Sequence, residues 1–301
     1  MPFKKMKDLL HGPIYKYDKD TKQQLLIESL REVVSFHYSN CVPYRKYCLN
    51  QQFEPENLQL LEDLPYFPTS IFKDVLLVSV PMEKIYRELN SSATTSSKPS
   101  RIGLDKENNW HWTVSLQRML LDRIGNERFS FLILDHQAVL ERSKVISARA
   151  SMTRSLLFCS KNVETCLKKE DGNLSLDFDK FKNFLTAIKN KGEGVIIFGF
   201  TFVLYKYVIL PLLDKGLEFN LSNAKIIHAG GWKKLEGQKI SQKKLLDECK
   251  KCFGISSENI IDLYGFTEQG GMLYPTCEHG NRHTTAWSEV ICRNLLTLMP
   301  E

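Results

Sequence analysis

Within "LYGFTEQ", residues 263–269, an aromatic ring (Tyr264), a hydroxyl (Thr267) and a carboxylate (Glu268) fall inside five positions. That is the set a nucleotide site needs: a face for a base, a donor for a phosphate and a hard oxygen ligand for Mg²⁺. A solvated turn beside a core tyrosine would use the same residues. A second candidate is "HAGGWKK" from His228 onward, where Gly230 and Gly231 let backbone approach a flat ligand because neither carries a Cβ. Glycine at a strand-to-helix turn is common, so that pair alone is weak.

The third candidate is "SSATTSSKPS" at 91–100, eight of whose ten residues are Ser, Thr or Ala. A flexible linker is one reading, although such linkers are richer in Gly. The other is a phosphate loop, with hydroxyls and backbone N–H groups around the oxygens and Lys98 as a point charge. Composition leaves both open. Cysteine supplies a fourth candidate: Cys249-x-x-Cys252, and "CEHGNRH" with Cys277, His279 and His283, could offer four ligands to structural Zn²⁺. The first pair falls on an expected helix and the spacing fits no finger pattern, so ordinary thiols are the simpler account.

These groups need elements to hold them. After residue 100 short apolar runs alternate with longer amphipathic ones. Strands are expected at Phe129–Leu134, Leu156–Cys159, Val195–Phe198, Lys225–His228 and Ile260–Tyr264, and helices at Asn108–Asp122, Asp179–Lys191, Phe202–Leu213 and Gln242–Phe253. The alternation predicts βαβ units and an α/β fold with a mostly parallel sheet, whose ligands collect at the carboxyl ends of the strands. Val195–Phe198, apolar on both faces, reads as a central strand, with Gly199 as the turn after it and Thr201 as a helix N-cap. This reading is preferred to a membrane span over 195–213, because Lys206 sits mid-segment and Pro211 near its end. Upstream, Leu25, Leu26, Ile27, Leu30, Val33, Val34 and Phe36 recur at helical spacing and Asn40 and Pro43 close the element; Thr69 and Ser70 start another turn.

The bulk numbers bound the class. With 43% hydrophobic and 25% charged residues over 301 positions, the chain can bury a real core, and neither disorder nor a low-complexity architecture fits. The net charge of +6 comes from dispersed Lys interleaved with acids, which reads as solvated helix faces. No clustered basic face with aromatics suggests a nucleic-acid partner. The charged start lacks the apolar core of a signal peptide, and eight irregularly spaced Cys read as reduced thiols, so a cytoplasmic protein is expected.

Taken in order, "LEDLPYFPTSIFK", "SSATTSSKPSRIGLD", "IIFGFTF", "HAGGWKKLEGQKIS", "IDLYGFTEQGGM" and "CEHGNRH" resemble the acyl-protein synthetases of the LuxE type within the adenylate-forming enzyme superfamily, relatives of phenylacetate–CoA ligases. The resemblance covers about residues 60–283. It implies the large N-terminal α/β domain of that fold, with 1–80 a helical lead-in packed on it and 81–301 the domain itself, stopping before the ribose-binding and C-terminal motifs. It implies ATP and Mg²⁺, a fatty or aryl acid activated as its adenylate, and acyl transfer to a thiol on a partner protein or carrier. By match to the motifs, Ser91, Ser92, Thr94, Thr95 and Lys98 would follow the phosphates. Gly230, Gly231, Tyr264 and Gly265 would take the adenine, Thr267 the α-phosphate and Glu268 the Mg²⁺. Phe198, Gly199 and Phe200 would line the acyl pocket, and His228 would meet the substrate carboxylate or be a satisfied core histidine. Some relatives hold a metal near Cys277 and His283. The family loop usually has Gly where this chain has Ala93 and Ser96, so a non-catalytic nucleotide- or partner-binding subunit is the alternative.

Overall fold

The computed structural model describes residues 3–91, 98–141, 145–170, 173–232, 237 and 239–301. Two compact units divide them, one built from residues up to Asn90 with Lys98–His111 and His283–Glu301, the other from Ser91 and Trp112–Arg282.

In the first unit, helices α1 (Lys4–His11), α2 (Lys19–Asn40), α3 (Val42–Asn50) and α4 (Ile71–Asp74) precede strands β1 (Arg87–Asn90) and β2 (Arg101–Leu104). Asp18 caps α2 by accepting the Thr21 amide at 2.9 Å. Pro43 does more than end that helix: it occupies the first turn of α3, where a missing N–H costs nothing. Leu9 of α1 and Leu26 of α2 close a small core with Leu61 and Ala286. The β1–β2 pair is antiparallel and is forked by Arg101, whose Nε and Nη2 donate to Glu88 at 3.0 and 3.1 Å.

The second unit takes in the Trp112–Ile124 part of α5 (Lys106–Ile124), then β3 (Phe129–Ile133), β4 (Val145–Ser147), α6 (Ala148–Leu156), β5 (Ser160–Thr165), β6 (Leu167–Glu170), β7 (Asn173–Leu176) and α7 (Phe178–Lys191). Strand β8 (Val195–Phe200) follows, then a helical stretch from α8 (Thr201–Val203) through a π-helical Leu204–Ile209 to α9 (Leu210–Asp214). Strand β9 (Ala224–Ala229), α10 (Gln242–Phe253), β10 (Ile260–Tyr264) and β11 (Tyr274–Pro275) complete it. The main sheet runs β11-β10-β9-β8-β3-β5, parallel except for β11. Residues 195–199 of β8 are all buried, as a central strand covered on both faces demands. Phe181, Leu185 and Ile188 of α7 pack with Phe253 and Cys249 of α10 in one core, and each large apolar side chain so buried contributes roughly 1.5–3 kcal/mol. Asp177 and Ser241 cap α7 and α10, which end on Gly192 (φ 64°) and Gly254 (φ 67°).

Four local expectations are corrected. Leu156–Cys159 is not a strand: Leu156 ends α6 and Leu157–Cys159 is a 3₁₀ turn, because an apolar run can equally be a buried helix face; the strand is the more polar Ser160–Thr165 at the sheet edge. Gly199 is not a turn but lies inside β8, where an added Cβ would stand 2.6 Å from Leu134 Cβ. Thr201 does not cap the next helix, whose N-cap is Phe200. The expected single helix over 202–213 carries a π turn just before Pro211, whose ring would crowd the carbonyl one regular turn back. No described helix is long and apolar enough to cross a membrane.

Candidate active site at the carboxyl edge of the parallel sheet

Parallel register aligns the carboxyl ends of β8, β9 and β10. Phe200 pairs with Ala229 and Ala229 with Leu263; one step earlier Gly199, His228 and Asp262 form a row across three strands. The loops that leave these ends carry Gly230 and Gly231 after β9, and Gly265 to Gln269 after β10. Phe198, Gly199, Phe200, His228, Gly230, Gly231, Tyr264, Gly265, Thr267 and Glu268 therefore share one edge of one unit.

Gly230 and Gly265 each have a steric reason to lack a side chain. Gly230 has φ 71° and would set a Cβ 3.0 Å from the Phe200 ring, whereas a Cβ on Gly231 would meet none of the described residues within 4 Å. A Cβ on Gly265 would lie 2.8 Å from Leu273. Thr267, Glu268 and Gln269 form a 3₁₀ turn, with Gln269 Nε2 donating to the Tyr274 hydroxyl at 2.7 Å. That turn ends on Gly270 and Gly271, against which the Trp112 indole of α5 lies flush. Tyr264 is 54% exposed, and the Arg282 guanidinium stands 5.9 Å from its ring centroid. Glu268 is half-buried and pairs with no cation among the described residues.

His228 is 5% exposed, and burial pushes its pKa below the ordinary histidine value; the Asp262 carboxylate, 3.8 Å from Nδ1, opposes this and Arg282 adds to it. Asp262 is itself fixed, accepting from Arg282 Nη2 while its amide donates to Thr276 Oγ1 at 3.0 Å. The Thr201 hydroxyl lies 2.9 Å from His228 Nδ1 and 2.6 Å from the Gly230 carbonyl. Sequence reading missed Thr201, Asp262, Arg282 and Trp112. Only for Asp262 was there a signal, a lone carboxylate in the apolar run "IIDLY".

Ser92, Thr94 and Thr95, with Ala93 and Ser96, lie outside the described residues; Ser91 is half-buried. Lys98 belongs to the first unit and pairs with Asp74 at 3.2 Å on exposed surface. Cys277 sits in a turn closed by its amide to the Asn281 carbonyl at 2.8 Å, whereas His283, in the first unit, is exposed and edge-on to Tyr15. Among the described residues no three His, Cys, Asp or Glu side chains gather to hold a metal ion.

The fold is that of an adenylate-forming ligase domain. Two solved structures of 2-hydroxyisobutyryl-CoA ligase in complex with 2-HIB-AMP and CoA share it: the open conformation with TM-score 0.62 over 92% of this chain and 62% of that one, and the thioesterification state with 0.61 over 91% and 55%. Identity is 12% in both, so the likeness is one of fold, and the chain spans less than two thirds of those ligases. The family model "Acyl-protein synthetase, LuxE" matches residues 5–300, and the chain belongs to that family of ligases. It is 25% identical over 295 residues to the long-chain-fatty-acid–luciferin-component ligase of Aliivibrio fischeri, covering 93% of this chain and 72% of that protein. The Vibrio harveyi ligase of the same name is 24% identical over 281 residues, covering 90% and 70%.

Proposed function

We propose that this chain activates a carboxylic acid with ATP and passes the acyl group to a thiol on a partner protein or carrier. One observation carries the reading: Tyr264, Thr267 and Glu268 leave β10 at the same sheet edge as Gly230 and Gly231 leave β9, so a flat base and a phosphate chain could be met from adjacent loops. In the first step a carboxylate oxygen attacks the α-phosphorus and pyrophosphate leaves; in the second a thiolate attacks the acyl carbon and AMP leaves. Such transfers depend on positioning and charge neutralisation rather than on a protein nucleophile.

The exposed Tyr264 ring suits an adenine face, and no described residue stands within 4 Å of a Cβ placed on Gly231. Thr267 offers the α-phosphate a hydroxyl. A hard, half-buried carboxylate with no competing described cation fits Mg²⁺, which takes one or two carboxylates beside phosphate oxygens, so Glu268 would hold it. When bound, that ion supplies neutralisation of phosphate charge. The phosphate role of Ser91, Ser92, Thr94, Thr95 and Lys98 rests on the motif alone, as does that of Cys277 and His283 toward a second metal.

The buried Phe198, with Gly199 and the half-buried Phe200, offers an apolar wall suited to a fatty or aryl acid. The relatives' name, long-chain-fatty-acid–luciferin-component ligase, supports the fatty end of that range. The test is pyrophosphate exchange into ATP across fatty and aryl acids. Acid-dependent exchange supports the proposal, and no exchange with any acid overturns it for this chain.

A further inference from the structure

Thr201 is 6% exposed at the first position of α8, yet its hydroxyl serves no helix cap. Oγ1 donates to the Gly230 carbonyl at 2.6 Å, with the Ala229 carbonyl a longer 3.3 Å away. A hydroxyl has one hydrogen. Its 2.9 Å contact with His228 Nδ1 therefore uses the oxygen as acceptor and the ring nitrogen as donor. Asp262 Oδ1, 3.8 Å from the same nitrogen, is too far for a hydrogen bond and adds only an electrostatic preference for a proton there.

The consequence falls on Gly230. A Gly-Gly pair has more backbone freedom than any other dipeptide, and an unfastened turn would lose much of it on meeting a ligand. Here its first carbonyl is fastened by a β-branched residue whose hydroxyl direction is set by a buried imidazole. That imidazole stands beside the Asp262 carboxylate, which Arg282 holds, on a residue whose backbone amide donates to the Thr276 hydroxyl. The whole chain of contacts lies within one unit.

We propose that Thr201 is a positioning residue for the nucleotide: through the Gly230 carbonyl it holds the Gly230–Gly231 backbone in the conformation that receives the adenine, and His228 fixes the direction of its hydroxyl. The ligand's identity rests on the acid-activating reading; the fastening of the turn does not.

Two variants decide it. Thr201→Val keeps the shape and removes the hydroxyl, while Thr201→Ser keeps the hydroxyl. In pyrophosphate exchange Thr201→Val should raise the KM for ATP roughly tenfold, the size expected when a buried carbonyl loses its donor, with the KM for the acid unchanged. Thr201→Ser should stay within about twofold of the parent. Hydrogen–deuterium exchange should quicken at the Gly231 and Trp232 amides in Thr201→Val and not in Thr201→Ser. A merely structural threonine would lower kcat and the melting temperature while leaving the KM for ATP alone, and that result overturns the proposal. If the parent chain shows no exchange with ATP, the acid-activating reading fails; amide exchange unchanged in Thr201→Val then overturns the fastening, and its acceleration supports it.

Discussion

The indole of Trp112 lies so close to Gly270 that a Cβ on that glycine would stand 1.5 Å from Cη2 and 1.7 Å from Cζ2. Gly271, at φ 71°, continues the same contact, with its own imagined Cβ 2.9 Å from Trp112 Cγ. The Thr267–Gln269 turn ends here, so the ring clamps the segment that presents Glu268. Gly270→Ala should therefore displace the turn or the ring. An unfolding free energy lower by about 1–3 kcal/mol is expected from such overpacking, together with at least a tenfold fall in pyrophosphate exchange. Gly270→Ala combined with Trp112→Leu should recover part of both losses; strict additivity in the double-mutant cycle would contradict the clamp.

Gly199 meets a similar limit inside β8. A Cβ there would stand 2.6 Å from Leu134 Cβ, on a neighbouring buried residue that cannot swing away. Gly199→Ala should cost about 1–3 kcal/mol in urea unfolding, and Leu134→Ala in the same background should relieve part of the clash while leaving its own cavity. An unaltered midpoint for Gly199→Ala would show that the strand has room.

His228 gives the protein an acid-sensitive term. Its folded pKa is lowered by burial, so as pH falls below about 6.5 the unfolded chain takes up a proton that the folded one refuses. The His228 contribution is thus complete above that pH and is lost on the way down to the folded value. Burial lowers His37 and His111 in the same direction, so the parent's acid slope is shared among the three. His228→Gln should shrink, though not abolish, the drop in urea midpoint between about pH 7.5 and about pH 5.5. An equal drop in variant and parent would place the titration elsewhere.

Three buried thiols, Cys166, Cys249 and Cys252, are poor nucleophiles. Burial pushes Cys166 and Cys249 far above the ordinary thiol range and Cys252 up to about 11. Cys277 is half-buried and Cys292 exposed. Iodoacetamide on the native protein near neutral pH should label Cys292 and Cys277 first, read peptide by peptide in a mass spectrometer. Rapid labelling of Cys249 would mean that α10 opens readily.

How much of this was legible in the chain depended on where each residue's partner lies. The bounds of α10 are plain from Ser241 and Gly254, because caps are local. Strands β8, β9 and β10 announce themselves as short apolar runs followed by glycine, and with them came the edge carrying Tyr264, Thr267 and Glu268. Strand β5 did not, because an edge strand with exposed Lys161 and Asn162 has no apolar face to advertise. Thr201 looked like a cap since a threonine after "GF" at a helix start usually is one. Its actual partners, His228 and Gly230, are reached only through the register of two parallel strands. Trp112 had no signal at all, for nothing in "NWHWTV" points to a glycine pair near the other end of its unit.

The central claim, activation of an acid through its adenylate, is tested most directly by following the acid's own oxygen. The parent chain is incubated with ATP, Mg²⁺, a long-chain acid labelled with ¹⁸O in both carboxylate positions, and hydroxylamine as acceptor. If the carboxylate attacks the α-phosphorus, each hydroxamate formed leaves one ¹⁸O in AMP, and Glu268→Ala reduces both products together. Label appearing in inorganic phosphate with ADP, or AMP formed without ¹⁸O, would contradict the account.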